Sequence, residues 1–235
     1  MRLMAVMAHP DDAEIWCGGT LILHVAKGDA VRICALSYPE GSTRGREAEE
    51  GASLIGCEVE VLGQKDAAIR DTDEAVDRLR RSIEAFRPDT VITHWFDDVH
   101  PDHESVFRIV RRSLLREHLG DPLEAPKRFP RIFSCDTYAS QGLRGRFEPN
   151  RLVDVSAVWD QKIAAIRAHR SQPVRFYMDM VAGQCRAHGM AAGVLWAEAF
   201  LYLPLFGRPD EGEPLGGDAA VSPGGGEGGP VSQGR

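Results

Sequence analysis

His9-Pro10-Asp11-Asp12 and His100-Pro101-Asp102-His103 gather three imidazoles and three carboxylates into eight residues. Within each tetrapeptide the first and last residues are three apart, on one side of a first helical turn. The proline, with φ fixed and no amide to satisfy, suits the opening of a helix. His9, Asp12 and His103 then offer two nitrogens and one oxygen, which with an open fourth position is the ligand set of a catalytic zinc site. Ferrous iron is accepted by the same donors. Zinc held this way lowers the pKa of its water to roughly 7 and polarises a carbonyl oxygen. Asp11, beside a ligand but too constrained to share the metal equally, is the natural general base. His100, one turn from His103, would steady a tetrahedral oxyanion as an imidazolium. Asp102 would hold one of the imidazoles in its tautomer. One such tetrapeptide alone more often caps a helix beside a surface histidine, but two of them, each at a strand end, point to a metal.

The elements that must position these residues follow from hydrophobic periodicity. Residues 2–8 read as a buried strand ending at His9, and 12–27 as a helix stopped by Gly28. Strand 30–37, helix 46–55, strand 57–62, helix 71–86, strand 89–95 and helix 101–118 continue the alternation. That pattern predicts an α/β, Rossmann-like three-layer sandwich with a mostly parallel central sheet. In the strand order 3-2-1-4 the switch point lies between strands one and four, where ligands bind at the carboxyl ends. Two motifs about 90 residues apart would thus meet in one crevice. Further strands are expected at 131–138 and 151–155, with helices at 156–169 and 190–202. Residues 1–206 form one domain, and the Gly/Pro/acid-rich 207–235 has almost nothing to bury, so disorder is expected.

The formal net charge of -7 recommends no nucleic-acid partner. Five cysteines stand singly with no C-x-x-C pair, which argues against a disulfide framework or a thiolate zinc site. The N-terminus lacks the apolar run and cleavage site of a signal peptide, and no stretch has the length of a membrane span. The expected setting is cytoplasmic, with a small molecule as partner; homo-oligomer formation is left open. Gly18-Gly19 fits neither phosphate-loop frame. His24, His94, His118 and His188 have no spacing that recommends them as ligands.

MAHPDDAEIWCGGTL and THWFDDVHPDHES together resemble the PIG-L/LmbE-type zinc deacetylases, which remove an acetyl group from N-acetylglucosamine-containing substrates. The resemblance extends to residues 44–56, 168–172 and 197–200, nearly the whole chain up to about residue 205. It implies the same fold, His9, Asp12 and His103 as ligands, Asp11 as base and His100 as the oxyanion-stabilising acid. It also implies Arg44 as a sugar contact and Asp66 as an aspartate near the sugar. Asp98 stands where some members carry a tyrosine, and Trp16 where relatives often have glycine, either narrowing the pocket or packing. His169 either lines the cleft or packs between helices. The function implied is deacetylation of an N-acetylated amino sugar, whether a thiol-precursor glycoside or an antibiotic intermediate. The alternatives are an amidase cutting larger N-acyl groups such as thiol conjugates, and a Rossmann-like metal- or nucleotide-binding module without turnover. A pure binder would need neither Asp11 nor His100.

Overall fold

The computed structural model describes residues 1–118, 129–205, 215 and 218–219. Alternation begins with β1 (Arg2–Met7), α1 (Asp12–Ala26), β2 (Ala30–Ser37), α2 (Thr43–Ile55) and β3 (Glu58–Gln64). It continues with α3 (Asp73–Phe86), β4 (Thr90–Thr93), α4 (Pro101–His118) and β5 (Arg131–Cys135). After a 3-10 turn at Tyr138–Ser140 come β6 (Arg151–Asp154), α5 (Trp159–Arg167), α6 (Val174–Ala192), β7 (Ala197–Leu203) and β8 (Asp218–Ala219). The sheet order is β3-β2-β1-β4-β5-β7-β6-β8. Strands β3 to β5 pair in parallel, whereas β7, β6 and β8 are joined antiparallel. The expected fold class is therefore the observed one.

β1 is buried on both faces, as a parallel central strand must be. Its Leu3, Ala5 and Met7 face a core shared with α1, α5 and α6, while Met4, Val6 and Ala8 face a second core under α3 and α4. This period of two makes the three layers. Boundaries are set by local chemistry. Thr72 caps α3 by accepting from the Ala75 amide, so that helix starts two residues later than the acidic run suggests. Gly56, at φ 92, terminates α2 in the left-handed region.

Three expectations are corrected in the second half. The helix expected at 190–202 is instead the end of α6 followed by β7, which pairs with β5 on one side and β6 on the other. The strand expected at 131–138 stops at Cys135, and the helix expected at 156–169 is a 3-10 turn leading into α5. The expected tail, 207–235, lies outside the described residues except for Leu215, which is buried, and β8, which adds to the edge of the sheet at β6. The side chain of His118 also lies outside them. Among the described residues no helix is long and apolar enough to cross a membrane.

Candidate metal centre and active site

β1 and β4 are adjacent and parallel, with Val6 beside Thr93, so both motifs leave the same sheet edge. Pro10 and Asp11 turn the chain from β1 into α1, and the His9 amide donates to Asp12 Oδ2 at 2.7 Å. That bond fixes the Asp12 carboxylate under the ring of His9, whose Nδ1 lies 3.1 Å from the same oxygen. His103, one turn into α4, aims Nε2 at Asp12 Oδ1 from 3.5 Å. His9, Asp12 and His103 each offer a ligand atom within 4.8 Å of the other two, and all three are buried.

The charge pattern is that of a cation site. His103 Nδ1 donates to Asp98 Oδ2 at 2.9 Å, which leaves Nε2 with its lone pair toward Asp12. His103 Nε2 is buried with no hydrogen-bond partner. An orphaned imidazole nitrogen against a buried carboxylate is costly unless something positive lies between them. Burial works against a charged His103 ring, yet Asp12 and Asp98 raise its pKa to about 10. Burial likewise opposes charge on Asp12, but His103, His9 and His94 hold its carboxyl well below the ordinary value. In the absence of a metal a proton fills the gap, and a divalent cation would replace it. The donor set, two imidazoles and a carboxylate, fits such an ion.

The other expected residues are brought to the same place. Asp11 is buried and accepts from Arg44 Nη2 at 2.7 Å. Burial first, then Asp12, raises the pKa of Asp11 against the pull of Arg44. The Arg44 guanidinium lies over the ring of Tyr38, 4.9 Å from its centroid, and the Tyr38 hydroxyl donates to Asp66 Oδ2 at 2.5 Å. Asp66 Oδ1 is 3.2 Å from His9 Nε2. Asp102 accepts from the Ile69 amide at 3.1 Å and sits 3.3 Å from the same His9 nitrogen, so it faces the outer edge of that ring. His100 is half-buried, its centroid 4.9 Å from that of His9 and 4.6 Å from that of His103. Its Nδ1 accepts the Asp102 amide at 3.2 Å, which puts the proton of the neutral ring on Nε2. Burial, then His103 and His9, lower its pKa, which favours the neutral ring over the imidazolium expected.

Four residues at or behind the site lack any spacing signal. His94, passed over as a ligand, is fully buried, stacks on His103 at 3.7 Å and lies 3.2 Å from Asp12 Oδ2. Its Nε2 accepts the Ala8 amide at 2.9 Å, and burial followed by His103 lowers its pKa to about 4, so it is neutral. Asp98 accepts both His103 Nδ1 and the His100 amide, the latter at 2.8 Å. Lys162 and Glu198 form a fully buried pair at 2.6 Å wedged into α1. Lys162 donates to the carbonyls of Glu14 and Ile15, and Glu198 accepts from the amides of Gly19 and Thr20. The pair therefore ties α1 to α5 and β7 one turn below its ligand-bearing end. A Cβ at Gly19 would come within 2.6 Å of Val155, which explains that glycine without a phosphate loop. His169 is fully buried 3.5 Å from Glu14 Oε1, packed between helices rather than lining the cleft.

The chain is a doubly wound α/β protein with three candidate metal ligands gathered at its switch point. The family profile for PIG-L, GlcNAc-PI de-N-acetylase, matches residues 4–114, which span both motifs. The conserved protein TT1542 from Thermus thermophilus is 32% identical, with a TM-score of 0.75 over 90% of this chain and 99% of that one. A probable N-acetyl-alpha-D-glucosaminyl L-malate deacetylase 2 of Bacillus cereus is 26% identical over 191 residues, 73% of this chain and 83% of that protein. A 4-oxalmesaconate hydratase of Pseudomonas putida is 24% identical over 190 residues, 72% of this chain and 73% of that protein. The chain belongs to the PIG-L family.

Proposed function

We propose that this protein is a metal-dependent N-deacetylase that hydrolyses the acetamido group of an N-acetylglucosamine-type amino sugar to acetate and a free amine. The observation that carries the reading is the orphaned Nε2 of His103 facing Asp12, with the separate carboxylate of Asp11 beside it. His9, Asp12 and His103 would hold the ion, zinc by donor chemistry or ferrous iron. The ion would supply Lewis acidity at the acyl oxygen and lower the pKa of a water there to roughly 7. Arg44 engages Asp11 Oδ1, leaving Oδ2 to take the proton from the water as its oxygen adds to the acyl carbon. His100 donates its Nε2 proton in a hydrogen bond to the acyl oxygen as negative charge builds there. The C–N bond then breaks, and Asp11 returns the proton to the departing amine. Asp102 orients His9 through Nε2, while Arg44 and Asp66 line the wall that meets the sugar.

The hydratase relative raises a second reading, hydration of an unsaturated acid. Five carboxylates (Asp11, Asp12, Asp66, Asp98 and Asp102) surround this site, and Arg44 is already paired with one of them. That balance suits a neutral sugar and a cationic amine product better than a polycarboxylate. The test is a panel assayed with metal-loaded protein: N-acetylglucosaminyl glycosides, the same sugars with longer N-acyl groups, a thiol-conjugate amide and an unsaturated dicarboxylic acid. Acetate and amine are expected in equal amounts from the N-acetyl sugars, with rates falling as the acyl group lengthens. Hydration of the acid without acetate release would overturn the reading, and faster cleavage of long acyl groups would move it to the amidase.

A further inference from the structure

α6 carries apolar residues on its solvent side as well as on its core side. The core side is Val181, Cys185 and Gly189, with Met178 half-buried beside them. The opposite side carries Phe176, Met180, Gly183, Ala187 and Met190, at alternating steps of four and three residues. That spacing is the a/d seam along which paired helices pack. Phe176 is 58% exposed and Met190 72%, while Gly183 and Ala187 are exposed and Met180 is half-buried. Leu195, just past the end of the helix, is 53% exposed. Large apolar side chains aligned in water along one helix mark an interaction surface.

Gly183 lies at the middle of the seam. A glycine inside an exposed helix weakens it relative to alanine. A Cβ placed at Gly183 meets nothing within 4 Å, so the protomer itself does not require a glycine there. A second backbone packed closely on the helix would. The seam is also self-complementary. Run antiparallel about a twofold axis at Gly183, it sets Phe176 against the partner's Met190 on either side of the small centre. The charges agree with that direction. Asp179 and Arg186, both exposed, stand seven residues apart on one flank of the seam, where paired helices form interhelical ion pairs. Asp179 makes no ion pair among the described residues, and Arg186 donates to the Leu195 carbonyl at 3.0 Å rather than to a carboxylate. In the antiparallel arrangement each Asp179 meets the partner's Arg186. A parallel pair would set the two charges against the partner's Gln184 and the partner's Ala191 instead.

We propose that a second copy of this chain docks on the exposed face of α6, forming a twofold homodimer through an antiparallel pair of these helices. The inference is independent of the deacetylase reading. One helix seam is a small interface, so the dissociation constant is expected on the order of 10 μM. Sedimentation velocity of the full chain, from about 1 to about 200 μM, should show monomer giving way to dimer across that value. Gly183→Leu adds a side chain where the protomer has open space, so its Tm should not fall, yet association should weaken at least about tenfold. Met190→Glu should act in the same direction. Asp179→Arg alone should weaken the dimer, and adding Arg186→Asp should restore it, because the exchange keeps two opposite pairs. A wild-type chain that stays monomeric across the range would overturn the proposal and leave the face to another occupant. A dimer unmoved by both Gly183→Leu and Met190→Glu would also overturn it, since that dimer would form through a different surface.

Discussion

Replacing Asp98 by Asn should loosen the metal without touching a ligand. Asp98 is buried, and its two oxygens accept from His103 Nδ1 at 2.9 Å and the His100 amide at 2.8 Å. An asparagine can present an oxygen to only one of these. If it keeps the His100 amide, its NH2 group confronts His103 Nδ1 and favours the tautomer with the proton on Nε2, where the cation must bind. If it keeps His103, the His100 amide at the start of α4 is left facing a donor. Either way the ligand loses the carboxylate that sets its proton and strengthens its lone pair. Outer carboxylates of this kind are worth about 10- to 100-fold in metal affinity, or about 1.4 to 2.7 kcal/mol. The assay is competition for zinc against a chelator of known affinity, with the thermal transition of the metal-free protein as control for folding. Wild-type zinc affinity in Asp98→Asn would refute the reasoning, because it would mean that the Nδ1 bond does not set the tautomer.

Acid should destabilise the metal-free protein chiefly through His94. Its pKa is lowered to about 4 from 6.5, so the unfolded chain takes up a proton between those values and the folded one does not. Stability is then lost as the pH falls from 6.5 to 4, with an upper bound of about 3 kcal/mol. The raised His103 contributes fully throughout that window, and Asp12, with its pKa held well below 3.8, keeps its contribution down to that value. Urea unfolding across the window checks this, and a flat profile would contradict it. Lys162→Met leaves Glu198 uncompensated inside the protein and two carbonyls of α1 without their donor, a loss of about 3–5 kcal/mol. Calorimetry should show Tm lower by about 10 °C, and a drop of less than about 3 °C would count against the pair's role in holding α1.

The first four strands and the meeting of the two motifs were legible because β1, β2 and β4 are largely apolar runs, β3 alternates apolar with polar residues, and each motif opens a helix. The second half was not, and β7 shows why. Its sequence, AEAFLYL, is rich in helix formers, and only pairing with β5 and β6 makes it a strand. α6 escaped notice because few of its residues are buried, Val181, Cys185 and Gly189 among them, so it carries little apolar periodicity. His94 and Asp98 acquire their places from the adjacency of β1 and β4 and from the loop into α4, which no residue spacing records. Lys162 and Glu198 are 36 residues apart, and only the packing of α5 and β7 on α1 joins them.

The central claim, that a separate carboxylate moves the proton for an acetamide bound at the metal, is tested most directly by Asp11→Asn. An asparagine at that position can still accept from Arg44 and leaves His9, Asp12 and His103 in place. The measurement is acetate release per bound metal, with metal content determined on the same sample. One metal per chain and a turnover lower by a factor of about 10² or more is the predicted result, in keeping with the loss of a general base. Near-wild-type turnover in metal-loaded Asp11→Asn would contradict the account.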